Sequence, residues 1–169
     1  MKYEPPIEKY PVNIREATLG QGEKAIKIGG ENTFPFHFFE GSLPNPPGLA
    51  LEILDTQPEN WAPWVLEPFQ DVISSPADWA KKCVEVFGAE ILCLRLLSTD
   101  PMGKDASLKE AADITKKVVD AIDVPLIVLG TGAEGNVQFL GQIDIHRSLG
   151  YYCMAVFQCS LRDLPIIPL

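Results

Sequence analysis

Histidine is nearly absent from this chain. His37 and His146 are the only two among 169 residues, and no nucleophile–base–carboxylate set is readable around either. A hydrolase triad is therefore not expected. Cysteine is scarce as well, and Cys83, Cys93, Cys153 and Cys159 form no C-x-x-C pair. That pattern argues against a zinc or iron–sulfur site held by this chain alone. Cys93 sits in an apolar run and Cys83 on an apolar helix face, so reduced core thiols are expected. Positive charge is short: 14 Lys and Arg face 23 Asp and Glu, a net charge of −9. Binding phosphate backbones needs clustered cations, and the basic doublets Lys81-Lys82 and Lys116-Lys117 fall on polar helix faces. Nucleic acid is not an expected partner. No apolar run approaches the ~20 residues of a membrane span, and Met1 to Tyr10 lacks the apolar core of a secretory signal. These absences lead to the expectation of a cytoplasmic protein without a membrane partner.

Glycine, proline and phenylalanine, by contrast, are concentrated in one place. Gly29 to Gly48 holds four Gly, four Pro and four Phe between two apolar runs, Ala25–Ile28 and Leu49–Leu54. A loop this long is uncommon inside a compact domain, and a disordered linker would be poor in aromatics. The expectation is an ordered, partly apolar loop between two buried strands, and a binding surface. His37, lying among the Phe residues, reads as a packed loop residue and not as a catalyst.

Taken in order, Met1 to Val12 is an arm kept extended by Pro5, Pro6 and Pro11. Asn13–Leu19 and Lys24–Ile28 can pair as a hairpin across Gly20-Gln21-Gly22. Leu49–Leu54 is a strand ending at Asp55, and Thr56 to Phe69 is a Pro-broken loop. Ser75-Pro76 opens a helix with Trp79, Ala80, Cys83, Val84 and Phe87 on one face, closed by Gly88. Ala89–Leu97 reads as a strand buried on both faces. Ser107 and Glu110 form a capping box for a helix that buries Leu108, Ala111, Ala112, Thr115, Val118, Val119 and Ile122. Pro125–Leu129 is another short strand. Strands alternating with amphipathic helices imply parallel βαβ units with right-handed crossovers.

Polar and glycine residues follow the strands: Gly29, Gly30 and Glu31 with Asn32, then Asp55, then Ser98, Thr99 and Asp100, then Gly130 and Thr131. Ligands bind at the carboxyl edge of parallel sheets, so these ten are the candidate cofactor-binding residues, and the Gly29–Gly48 loop is placed on that edge. Asp55 and Asp100 should follow adjacent strands and could accept hydrogen bonds from a polar ligand. The plainer alternatives are that Asp55 caps its loop and Asp100 starts a turn before Pro101. Gly130-Thr131-Gly132 is a weak phosphate-loop signal, with neither a P-loop Lys nor a full G-x-G-x-x-G.

The string Gly29-Gly-Glu-Asn-Thr-Phe-Pro-Phe-His-Phe-Phe-Glu-Gly41, with Pro44-Asn-Pro-Pro47 and Trp79-Ala-Lys81, resembles one family across about Asn13 to Gly132. It is the small subunit of the corrinoid/iron–sulfur protein, also called the delta subunit of acetyl-CoA decarbonylase/synthase. Ala89-Glu-Ile-Leu, Ser98-Thr-Asp-Pro101 and Val124-Pro-Leu-Ile-Val fit in order. The resemblance implies an α/β fold of the (β/α)8 TIM-barrel family, here a partial barrel of about four βα units with an N-terminal hairpin. It implies a corrinoid (cobalamin) shared with a large subunit that also bears the iron–sulfur cluster. It further implies transient partners, a pterin methyltransferase and acetyl-CoA synthase, in methyl transfer along the reductive acetyl-CoA pathway. Two other hypotheses are a barrel methyltransferase that binds the pterin through Asp55 and Asp100, and a non-functional fragment.

A closed barrel needs at least ~200 residues. The composition also changes near the end: the last Lys is Lys117 and the last Glu is Glu134. The expected organisation is a partial barrel over 1–136 and an atypical apolar tail over 137–169. The expected origin is a truncated chain whose tail comes from a frameshift or gene-boundary error. An intact reading frame ending at Leu169 in raw reads of the locus would sink that idea.

Overall fold

The structure is a computed structural model, and it describes residues 6–34, 36–131 and 152–153. The expected hairpin forms from β1 (Ala17–Leu19) and β2 (Ile26–Ile28), paired antiparallel with Thr18 opposite Lys27. Gly20 and Gly22 supply the positive φ angles at the turn, a conformation open to Gly at little cost. A second sheet runs β3 (Ala50–Leu54), β4 (Ile91–Arg95), β5 (Leu126–Leu129) and the two-residue β6 (Tyr152–Cys153), all parallel and in chain order. The predicted tail, 137–169, otherwise lies outside the described residues, as do His146 and Cys159.

Two helices make the crossovers: α2 (Pro76–Glu85) between β3 and β4, and α3 (Leu108–Ala121) between β4 and β5. They follow a four-residue helix, α1 (Pro63–Leu66), inside the stretch expected to be irregular. Pro63 breaks nothing there, because a first-turn N–H has no intrahelical partner to lose. The caps of α2 and α3 are those expected. Ser75 accepts from the Asp78 N–H, and Ser107 and Glu110 cap each other reciprocally.

The core lies between the sheet and these helices. Register places Leu51, Leu92 and Leu126 in one row and Ile53, Leu94 and Val128 in the next. Leu92, Leu94, Leu126 and Ile53 are almost wholly buried, as are Trp79, Ala80, Cys83, Ala111 and Val118 from the helices. Helices α2 and α3 pack on each other as well. The strands follow one another in chain order, with a helix between each successive pair from β3 to β5. On the opposite face, Glu52, Cys93 and Ile127 share a row, and Arg95 bonds Glu52 at 3.1 Å. β4 was expected to be buried on both faces, but Cys93 and Arg95 stay half-exposed. The parallel sheet described here has helices on one side.

Burial pushes the Cys83 thiol up to about 11, since a thiolate is penalised away from water. Iodoacetamide at pH 8 is therefore expected to leave Cys83 unmodified in the folded chain and to alkylate it in urea, read by mass spectrometry. Equal labelling rates in the two states would contradict the packing. The Glu110 carboxyl is held below the usual range by the Ser107 backbone N–H and hydroxyl. A carboxyl depressed on folding stabilises above its unfolded value, and that contribution is lost as pH falls through the folded value. The urea midpoint is expected to drop as pH falls below the ordinary carboxylate range. Glu110→Gln, which cannot titrate, should flatten part of the drop; an unchanged profile would sink the assignment.

Candidate functional site

The predicted site residues fall into two groups at opposite edges of the parallel sheet. Asp55, Ser98, Thr99, Asp100, Gly130 and Thr131 directly follow β3, β4 and β5, so the parallel topology gathers them at the carboxyl edge. Asp55 holds that edge together. Its backbone N–H donates to the Arg95 carbonyl at 3.2 Å, extending the β3–β4 ladder. Its carboxylate accepts from the Ser98 N–H at 3.1 Å and, in a short contact, from the Ser98 hydroxyl. Ser98 is almost wholly buried, so this carboxylate supplies acceptors to donors that water does not reach.

Thr99 turns inward and donates to the Leu96 carbonyl at 2.8 Å. Asp100 accepts from the Met102 N–H at 2.9 Å, and its own carbonyl takes the N–H groups of Gly103 and Asp105. This is the turn before Pro101, the plainer of the two expectations for Asp100. Asp55 does more than cap its own loop, because it ties two strand ends together. A carboxylate has about four acceptor positions, so Asp55 keeps capacity for a ligand.

Gly29, Gly30, Glu31 and Asn32 lie elsewhere. The sequence placed the Gly29–Gly48 loop on the carboxyl edge after a buried strand, and the structure corrects both points. β2 pairs only with β1, is half-buried at best, and does not belong to the parallel sheet. Its hairpin sits against the amino-terminal ends of the parallel strands. A Cβ on Gly20 would strike the Pro125 ring just before β5, and one on Gly48 would meet both Ile28 and Ile91. Lys24 bonds Asp123 at 2.5 Å on the same side. An apolar run alone cannot tell an antiparallel hairpin arm from a barrel strand.

The loop itself is tightly tied. Gly29 and Gly30 have φ of +80° and +87°, and any side chain on Gly29 would collide with the Arg15 carbonyl oxygen. Asn45 donates to the Gly29 carbonyl at 2.8 Å, Asn32 accepts from the Ser42 N–H at 2.7 Å, and Thr33 donates to the His37 carbonyl at 2.8 Å. The start of the Asn13–Leu19 stretch joins it: the Ile14 N–H donates to the Glu31 carbonyl, and the Gly30 N–H donates to that of Ile14. Tyr10, Val12 and Ile14 then wall a groove of about 240 Å³ with Asn32, Thr33 and Phe34. The sequence reading missed this wall. Its signal was the alternation of Tyr10, Val12 and Ile14 with Pro11, Asn13 and Arg15, the period of a strand. His37 stacks on Phe39 and bonds Glu40 at 3.0 Å, yet it stays exposed and is not the packed residue expected.

Among the described residues, no group of three or more His, Cys, Asp or Glu side chains could hold a metal. No helix of the described chain is long and apolar enough to cross a membrane.

Residues 16–143 match the family described as CO dehydrogenase/acetyl-CoA synthase delta subunit. Three proteins named acetyl-CoA decarbonylase/synthase complex subunit delta are similar to this chain. That of Methanocaldococcus jannaschii is 40% identical over 138 residues, covering 78% of this chain and 34% of the relative. That of Archaeoglobus fulgidus is 37% identical over 138 residues, 78% and 30%. That of Methanothermobacter thermautotrophicus is 35% identical over 132 residues, 78% and 33%. The chain spans about a third of the length of these relatives.

Proposed function

The chain belongs to the CO dehydrogenase/acetyl-CoA synthase delta subunit family, and from that premise we propose that it serves as a subunit of the acetyl-CoA decarbonylase/synthase complex. Its part there is in a corrinoid methyl carrier, which moves a methyl group from a methylated pterin toward acetyl-CoA synthase. The observation that carries the reading is the 40% identity to a subunit of that name over 138 residues. The (β/α)8 barrel belongs to the same proposal, and sequential parallel strands with crossovers packed side by side support it.

The carboxyl edge suits a corrinoid in one definite respect. A corrinoid brings its own cobalt, so the site needs polar groups for the amide-bearing rim and no protein metal ligands. Asp55 has acceptor capacity left after binding Ser98, and Gly130 and Thr131 follow β5, one strand beyond the β4 end that carries Ser98. Asp55 and Asp100, with Gly130 and Thr131, would hold the rim, and Ser98 and Thr99, buried behind them, keep the edge in shape; the corrinoid, when bound, supplies the cobalt that carries methyl. The chain's own contribution is to position and to exclude water, the usual division of labour with such cofactors.

Sedimentation of the purified chain with a corrinoid- and iron–sulfur-bearing large subunit tests the reading. A one-to-one complex is the expected result. Saturable binding of methyltetrahydrofolate or methyltetrahydromethanopterin by the chain alone, with no large-subunit complex, would instead favour a pterin-binding methyltransferase.

A further inference from the structure

Four phenylalanines stand on the Gly29–Gly48 loop with their rings in water. Phe34, Phe36, Phe38 and Phe39 are 61%, 86%, 74% and 51% exposed. The loop beneath them is already fixed, by the two left-handed glycines and by the hydrogen bonds of Asn45, Asn32 and Thr33. The rings also brace each other: Tyr10 meets Phe34 edge-on at 6.2 Å, and Phe38 meets Phe39 in the same way. Apolar surface held out on a hydrogen-bonded loop marks an interaction site, and a loop tied in place lowers the entropic cost of binding.

The size and charge of the patch narrow the occupant. A Phe offers roughly 150–250 Å², so four rings exposed to this degree present roughly 500 Å². That is most of the ~800 Å² each partner gives to a standard protein interface. Glu31 lines the groove beside Phe34, and Glu8 and Glu40 line a second groove between Phe34 and Phe39. Among the described residues, no Lys or Arg lines either one. Complementary potential is what steers and registers protein partners, and an acidic rim is unsuited to anionic lipid.

We propose that this aromatic loop is a protein-docking surface for a partner whose apolar patch is ringed by lysine and arginine. Resting on the function proposed above, that partner is the corrinoid-bearing large subunit. The loop grips it from the amino-terminal edge and leaves Asp55 and the carboxyl edge free for the corrinoid.

Calorimetric titration of the full chain with the purified large subunit tests this. Phe36→Ser/Phe38→Ser is expected to weaken binding by about thirtyfold or more, as loss of an interface hot spot does. Glu31→Lys should weaken it and lessen its salt dependence. Asp113→Asn, on the exposed face of α3, should bind as the wild type. Retained affinity in the Phe variant would overturn the docking site while the wild-type complex upholds the functional reading. A wild-type chain that binds no large subunit defeats that reading and this partner together. Hydroxyl-radical footprinting adds a direct view of the rings. Phe36 and Phe38 should oxidise freely in the isolated chain and be protected in the complex. Protection in the isolated chain would mean that the chain itself or a second copy covers the loop. Phe-dependent binding to anionic phospholipid vesicles would mean a lipid surface. Either result overturns the proposal.

Discussion

Trp79→Ala is expected to lower the stability of the chain by about 3–5 kcal/mol, the range for deleting a large aromatic from a core. Trp79 is 1% exposed and lies on the α2 face that packs against the sheet. Trp61 meets its ring edge-on at 6.0 Å and Phe69 lies 5.6 Å away, both from the segment between β3 and α2. That segment has little regular structure beyond one short helix and one 3-10 turn. Trp79 is therefore the post on which it rests. Domains of this kind are stable by only about 5–15 kcal/mol in all, so the variant should unfold at much lower urea. Trp79→Phe gives a sharper check. The indole Nε1 is buried with no hydrogen-bond partner among the described residues, and an unsatisfied buried donor costs about 1–3 kcal/mol. Phe removes that donor and keeps most of the volume, so its loss should be well under half that of Ala. Urea unfolding followed by circular dichroism measures both. An Ala variant within 1 kcal/mol of wild type, or a Phe variant as unstable as Ala, would contradict this packing.

Asp55→Ala is the second large effect, and it bears on the site. The substitution strands the Ser98 N–H and hydroxyl, both buried at the end of β4. An orphaned buried donor costs about 1–3 kcal/mol, so the two together rival the loss of a core side chain. The expected consequence is local as well as global: the turn over Ser98–Ala106 should lose amide-exchange protection, because the Ala106 N–H relies on the Ser98 carbonyl. Removing both partners should cost less than the single changes added together, since residues sharing a hydrogen bond couple. A double-mutant cycle of Asp55→Ala and Ser98→Ala measures this. Additivity within experimental error would mean that the carboxylate and Ser98 do not act as a unit.

Several elements were readable because their causes are local. The capping box of Ser107 and Glu110, the Ser75 cap and the buried faces of α2 and α3 follow from residue identity and a spacing of three or four. The alternation of short strands and helices gave the parallel order of β3, β4 and β5, and with it the placement of Asp55, Ser98 and Gly130 on one edge. The Asp55–Ser98 bond joins residues 43 positions apart, and nothing in either neighbourhood encodes it.

The sequence by itself determined the family, through one long aromatic and glycine-rich string, and the helices, through periodicity and caps. Tertiary structure decided which edge that string occupies. β2 finds its partner in β1, so the loop leaves the hairpin at the amino-terminal ends of the parallel strands, away from their carboxyl edge. The physical reason is that strand pairing depends on contacts between segments distant in the chain, whereas a strand's own residues fix only that it is extended and which faces are apolar. The phenylalanines were legible as a surface, and the fold sets that surface at the edge opposite Asp55, Ser98 and Gly130.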